Sequence, residues 1–417
     1  MSDLRDAASV EAAVRRAVAD ATVTDIHTHL FPPSHGGLLP WGADELLTYH
    51  YLVAELFTVA PRDLCPEDFQ ALPRRRQADL VWEHVFLRCG ALSEAARGVM
   101  TTFSRLGLDV GGRDLAGIRA WFDSQRIEEH LPRVFDLAGL NYAVMTNNPF
   151  AADEAGYWRR DLSVPPRLKA ALRIDTLLCD WPAAARAMTA AGCEADPAGG
   201  KAAFAAARKF LADWAGRIKP VYLAASLPQD FAYPSASPGS SVLDGVILPA
   251  ARELNLPLAM MIGVRRKVNP ALGDGGDGVG TADVAAVQHL CQAHGDVKFL
   301  VTMLSRVNQH ELCVLARKFS NLHVFGCWWF CNNPSIIEEM TRMRIELLGT
   351  AFTCQHSDAR VLDQLVYKWS HTRAVVGDVL AGKYRDQFAA GWRPTEAEIR
   401  RSVRRIFGGS FEEFCGR

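Results

Sequence analysis

The chain has 417 residues, 49% of them apolar, and its 46 lysines and arginines nearly cancel its 47 aspartates and glutamates. At this length a fold buries roughly three quarters of the surface that its unfolded chain exposes, so a large packed core is available. Neither sign of charge forms a run longer than Arg74-Arg75-Arg76, which reads as a solvated helix face. This balance argues against a nucleic-acid partner and against an anionic membrane surface.

The first twenty residues, MSDLRDAASVEAAVRRAVAD, have the pattern of an amphipathic helix and lack the apolar centre of a signal peptide. No stretch of 18 apolar residues follows anywhere, so no membrane partner is expected and the location is read as cytoplasmic. Residues 22–30, TVTDIHTHL, form the first expected strand. Within it His27 and His29 are two apart, and residues two apart on a strand point to one side. Two imidazoles converging at the end of an inward-facing strand suggest a divalent metal, with zinc the expected ion.

Residues 31–139 are too many for a simple loop and carry helical periodicity in LLTYHYLVAELF, DLVWEHVFLRC and GIRAWFDSQRIEEHL. They read as an inserted helical subdomain that leaves strand 1 on the catalytic side and covers the mouth. From residue 140 onward, short apolar runs alternate with helical stretches, the signature of βα repeats. The runs are 141–147, 168–174, 218–225, 256–263, 297–303, 322–328 and 351–356, which with 22–30 make eight.

Eight strands buried on both faces close into a (β/α)8 TIM-type barrel without an exposed edge. An open doubly wound sheet is the alternative. The barrel is preferred because chemically capable residues sit at the carboxyl ends of several runs, where a barrel places its active site. These residues are His27 and His29, Thr146-Asn147-Asn148, Arg173 and Asp175, Trp328 and Trp329, and His356 and Asp358. The barrel domain is thus residues 1–30 and 140–417. Segment 264–280, VRRKVNPALGDGGDGVG, is read as a flexible Gly-rich loop. The ten cysteines form no C-x-x-C pair and are expected mostly as buried fillers.

Asp358 follows the eighth strand, which closes against the first, so it is the natural third metal ligand or a general acid/base. Arginine offers a planar fork that grips a carboxylate with two bonds, so Arg173 and Arg360 at strand ends suit an acidic substrate. Paired tryptophans at a strand end can wall a sugar pocket.

The segment VTDIHTHLF together with Asp358 resembles the amidohydrolase superfamily. Tyr49-His50-Tyr51, MTNNP (145–149), LRID (172–175), IGVRRKVN (262–269), GCWWF (326–330) and SDAR (357–360) resemble its uronate isomerase branch, in family order over residues 20–380. The resemblance implies an aldose-ketose isomerase interconverting a hexuronate and its 2-keto isomer, of the glucuronate and fructuronate type. It places His27, His29 and Asp358 at the metal and acid/base positions and His50 and Tyr51 at the insertion's catalytic pair. Arg173, Asp175, Arg360, Trp328 and Trp329 fall among the substrate contacts. The small-molecule partner is then a sugar acid, and barrel helices leave room for a homo-oligomer.

The sequence also departs from the patterns it resembles. Strands 4, 5 and 6 read VYLAAS, LAMMIG and LVTMLS, without the Lys and His that hydrolytic members carry there. Met260 and Met261 stand where many uronate isomerases have His, and MTNNP has Asn where they tend to have Asp. A mononuclear metal-dependent hydrolase or lactonase, and a sugar-acid-binding barrel without turnover, are the alternative readings.

Overall fold

A computed structural model describes residues 4–416. Helix α1 (Ala7–Asp20) opens on a capping box in which Asp6 and Ser9 satisfy each other's backbone amides, and it buries Val10, Val14 and Val18. Nine strands follow in chain order: β1 (Val23–Thr28), β2 (Leu140–Asn147), β3 (Leu168–Arg173), β4 (Leu223–Pro228), β5 (Leu258–Arg265), β6 (Gly278–Val279), β7 (Phe299–Met303), β8 (Leu322–Phe325) and β9 (Phe352–Thr353). Eight pair in parallel in the order β1-β2-β3-β4-β5-β7-β8-β9, with β6 antiparallel on β5. The fold is the α/β barrel of the TIM type that the repeats predict, with helices around the sheet.

Closure between the last strand and the first is made by backbone groups beyond β9. Asp358 N donates to His27 O (3.1 Å) and His29 N donates to Ala359 O (2.8 Å). The Asp25 carboxylate, fully buried beneath them, accepts from Ser357 N (3.0 Å) and from Trp369 Nε1 (2.9 Å). These bonds fasten residues 357–359 to the strand that carries both histidines.

Several strand bounds shift by two or three residues, β8 among them, which ends at Phe325 instead of 328, and three segments differ for a clear local reason. The fourth strand begins at Leu223 instead of 218, because the preceding helix runs to Ile218 and Lys219 ends it with φ of +48° ahead of Pro220. Regular pairing of the last strand stops at Thr353, not 356, because Cys354 N turns away to Ile406 O (2.9 Å). The stretch 264–280 is hydrogen-bonded, not open. It holds a 3-10 turn (Pro270–Gly276) and β6, and Asn269 N bonds to Gly276 O (2.9 Å). Five of the ten cysteines are buried, whereas Cys89 and Cys179 are exposed.

Between β1 and β2 the chain is helical, as its periodicity predicts. Helices α2 (His50–Val59), α3 (Glu94–Arg105) and α4 (Ile127–Ala138) belong to this stretch, and Leu52, Leu56, Val99 and Phe103 join Trp82, Phe86 and Phe122 in an apolar cluster. After β2 comes α5 (Ala152–Trp158), and after β9 the long helix α6 (Gln364–Ala389). The inserted helices are tied to α6 by polar pairs at its start and along its first turns. His130 Nε2 lies 2.6 Å from Asp363 Oδ1, both side chains fully buried, and His371 Nδ1 lies 2.6 Å from Glu94 Oε1.

The carboxyl end of the barrel is packed closely around His356. A Cβ on Gly326, whose φ is +65°, would fall 1.7 Å from His356 Nδ1. Gly326→Ala therefore meets a ring it cannot displace and a backbone conformation it disfavours. It is expected to destabilise the fold by about 2–4 kcal/mol, seen as a lower urea midpoint. Unchanged stability would show that His356 has room to move.

Candidate active site

His27 and His29 sit at the end of β1, with Asp358 facing them across the closure. Asp358 Oδ1 is 3.5 Å from His27 Nε2 and 3.2 Å from His29 Nε2. One ligand atom from each of the three lies within 4.8 Å of the others, a group that could hold a metal ion. Asp358 has φ of +51°, a strained choice for a non-glycine residue that the two closure bonds enforce.

The tautomers follow from the hydroxyls behind the rings. Thr146 Oγ1 donates to Thr28 O (3.0 Å), so at His29 Nδ1 (3.0 Å) it can only accept. Tyr222 Oη donates to Ile26 O (2.5 Å) and stands 3.5 Å from His27 Nδ1. Both imidazoles thus carry their proton on Nδ1 and turn an Nε2 lone pair toward Asp358. Burial pushes both pKa values down, His27 well below the ordinary value, and so keeps the rings neutral. Burial also opposes ionisation of Asp358, and positive charge beside it, from a proton on its histidine neighbours or from a cation held by the same three groups, brings the carboxyl far below the usual range.

Two lone pairs and a carboxylate directed at one point repel each other unless a cation or a proton lies between them. A proton on Nε2 of His29 would make that ring an imidazolium, which burial disfavours, so a metal cation is the better occupant. The donor set of two imidazoles and one carboxylate with an open side is that of a catalytic site, and it fits a divalent ion.

His29 and Asp358 open into a narrow cleft of about 30 Å³, which Tyr49, His50, Arg173, Ser226, Arg266, Trp328, Trp329 and Arg360 also line. A groove of about 460 Å³ near Gly139 at the amino end of β2 is larger. Its Arg15, Arg105 and Arg373, however, are committed to carboxylates or backbone carbonyls, so chemistry favours the smaller cleft.

Of the residues singled out from sequence, Arg173, Arg360, His50, Trp328 and Trp329 line this cleft with His29 and Asp358. Tyr51 does not line it. Its ring lies 4.6 Å from that of His50, and its hydroxyl is buried without a partner, as is His50 Nε2. Asp175 also stays behind the lining. Both its oxygens take the fork of Arg173 (2.9 and 3.2 Å), and Oδ1 also accepts from Ser226 N (2.7 Å). Arg360 donates to Asp274 Oδ2 (2.7 Å), an aspartate that is 70% exposed. Trp328 is almost fully buried in an apolar cluster with Leu300 and Phe325, while Trp329 keeps an unpartnered buried Nε1.

Titration directions match this arrangement. Burial drives His50 down to about 3, so its imidazole is neutral, and raises Tyr51 well above 10, so its phenol stays protonated. The nearby Asp175 charge raises Arg173, which remains a cation.

Tyr49 and Arg266 were missed as cleft residues although they lie inside the motifs YHY and IGVRRKVN. Tyr222 and Glu154 carried no local signal. Glu154, on α5, accepts from Asn147 Nδ2 (3.1 Å), Asn148 N (2.9 Å) and Trp158 Nε1 (3.3 Å), and burial pushes it up to about 7. His356 sits 5.2 Å from the His27 ring with both ring nitrogens buried and unpartnered.

The likeness to known structures is complete in length. A crystal structure of a uronate isomerase from Bacillus halodurans superposes with a TM-score of 0.96 and 47% sequence identity, over 99% of this chain and 97% of that one. The chain belongs to the uronate isomerase family. A uronate isomerase from Thermotoga maritima (TM-score 0.77, 15% identity, 97% of both chains) shares the fold of this family member. So does a glucuronate isomerase from Caulobacter crescentus (TM-score 0.76, 16% identity, 99% of this chain and 95% of that one). No protein-family model matches the chain, and no curated protein does.

If Thr146 orients His29, Thr146→Val removes the acceptor for its Nδ1–H and loosens the ring. Affinity for a divalent ion should fall by about 10- to 100-fold, with the circular dichroism spectrum unchanged. Isothermal titration with zinc and manganese measures it, and equal affinity for wild type and variant would remove Thr146 from the site.

Proposed function

We propose that this protein interconverts a hexuronate and its 2-keto isomer, of the glucuronate and fructuronate type, in the cleft at the carboxyl end of the barrel. The full-length likeness to the Bacillus halodurans uronate isomerase carries the reading, and the cleft residues supply the chemistry it needs. The absence of Lys and His from the ends of β4, β5 and β7 argues against a binuclear hydrolase.

Aldose-ketose isomerisation moves a proton between neighbouring carbons and another between their oxygens. The substrate must first be held by its carboxylate. Arg173 and Arg360 both face the cleft, and each already holds a protein carboxylate, which shows that their forks are formed before substrate arrives. Asp175 serves Arg173 from behind as a positioning residue. The Arg360–Asp274 pair is exposed enough to contribute little, so a substrate carboxylate can replace Asp274 there.

Proton movement falls to His50, Tyr51 and Asp358. At neutral pH His50 is a free base, Asp358 is ionised and Tyr51 holds its proton, so two acceptors line the cleft and a donor stands behind it against His50. Trp329 offers its unpartnered Nε1–H to a sugar hydroxyl and, with Trp328, walls the cleft. A divalent ion held by His27, His29 and Asp358, which we take to be zinc, would polarise the substrate oxygens. We read residues 31–139 as a lid subdomain over the mouth, since α2 brings His50 into the cleft from outside the barrel.

Proton NMR of a hexuronate panel, with and without chelator, tests the reaction. Formation of the 2-keto isomer is expected, whereas a water-dependent product or no turnover of any hexuronate by metal-loaded protein overturns it. Replacing Arg360 by Met should lower kcat/KM by roughly 30-fold to several-thousand-fold, about 2–5 kcal/mol, with folding preserved. Arg360→Lys should recover little, because an ammonium cannot reproduce the fork. Near-normal kinetics in both would reduce Arg360 to a surface partner of Asp274.

A further inference from the structure

We infer that Lys368 is a positioning residue for Tyr51, a buried ammonium set between two tyrosine rings that fixes the phenol and favours negative charge on it during turnover. The inference rests on the proton-carrying role proposed for Tyr51.

Lys368 lies on α6, ten residues beyond Asp358, and is 3% exposed. Its Nζ is 6.0 Å from the centroid of the Tyr51 ring and 5.8 Å from that of Tyr367. Tyr367 is itself pinned, because a Cβ on Gly98 of α3 would lie 2.6 Å from two of its ring carbons. Tyr51 is held on its other sides by Tyr49 (5.0 Å), His50 (4.6 Å) and Phe330 (6.4 Å). The rings, mostly edge to face, and the ammonium thus form one packed cluster, from α3 through α6 to α2 and the turn after β8.

What makes Lys368 unusual is the lack of a counter-ion. Among the described residues Lys368 Nζ forms no ion pair, although buried lysines are normally paired, and its contacts are with the faces of Tyr51 and Tyr367. Burial pushes its pKa down to about 8, which leaves it mainly a cation at neutral pH. The charges acting on it at longer range are Asp358, Asp25 and Glu94. In turn it disfavours protonation of His50 and His356.

A lysine kept for packing alone could be a methionine, which has the same reach and no desolvation cost. The charge therefore needs a use. The Tyr51 hydroxyl is buried without a hydrogen-bond partner, so no hydrogen bond stabilises a phenolate when its proton passes to substrate, and Arg360 favours that phenolate only through its charge. An ammonium over the ring face is attracted to the phenol, and more strongly to the phenolate that proton transfer leaves.

The test is a double-mutant cycle on metal-loaded protein, using the hexuronate that wild type turns over. The set is Lys368→Met, Lys368→Arg, Tyr51→Phe and Lys368→Met/Tyr51→Phe, each checked by circular dichroism and thermal melting. Lys368→Met should lower kcat by about 10- to 30-fold with KM nearly unchanged, and Lys368→Arg should restore most of it. In the Tyr51→Phe background the same change should cost less than about 2-fold, because the group it acts through is gone.

Wild-type kcat in Lys368→Met, beside an impaired Tyr51→Phe, overturns the inference and leaves the reading of Tyr51 standing. An equal loss in both backgrounds also overturns it, since Lys368 would then act elsewhere. Full activity in Tyr51→Phe overturns the role of Tyr51 and the inference with it. If Lys368→Met melts below the assay temperature, Lys368→Gln takes its place under the same outcomes.

Discussion

Two backbone hydrogen bonds, Asp358 N to His27 O and His29 N to Ala359 O, close the barrel and at the same stroke assemble its chemistry. A barrel without this closure would leave the ends of β1 and β9 as unpaired edges. Because β9 gives up regular pairing after Thr353, the segment that follows is free to take the left-handed turn at Asp358, which swings the carboxylate against both imidazoles. Buried Asp25 supports the junction from below through Ser357 and Trp369. The convergence of three groups that could hold a metal ion is thus a by-product of finishing the sheet, and any change that loosens one loosens the other.

Around this centre the charges are arranged before substrate arrives. Hydroxyls of Thr146 and Tyr222, each donating to a backbone carbonyl, leave the imidazoles only one direction for their protons. The two cleft arginines are held in opposite ways. Arg173 is gripped by the enclosed Asp175, which Ser226 N also engages, and this pair is suited to stay as it is. Arg360 is held by the exposed Asp274, a pairing that solvent weakens and a second carboxylate can replace. One arginine is therefore a fixed feature of the wall and the other an exchangeable contact.

Helix α6 joins the parts that the chain separates widely. Along one helix it presents Asp363 to His130, Tyr367 to Gly98, Lys368 to Tyr51, Trp369 to Asp25 and His371 to Glu94. The inserted helices and the barrel are consequently read against a single element. This is why His50, three hundred positions before Asp358, can share a cleft with it without a direct covalent route.

The sequence by itself determined the repeating units and the residues with chemical capacity. Period-2 and period-3.6 patterns reflect which faces are buried, and that information is local, so eight strands and an inserted helical stretch could be read with errors of a few residues. The spacing of His27 and His29 was legible for the same reason, because strand geometry fixes the relation between residues two apart. What only the tertiary structure decided depends on contacts between distant segments. It paired Asp175 with Arg173, left Tyr51 out of the cleft wall and paired Arg360 with Asp274. It folded the Gly-rich stretch back on β5, and it brought Thr146, Tyr222 and Lys368 to the site. Hydrogen-bond partners and buried charges are settled by which surfaces meet after closure, and no local periodicity encodes that.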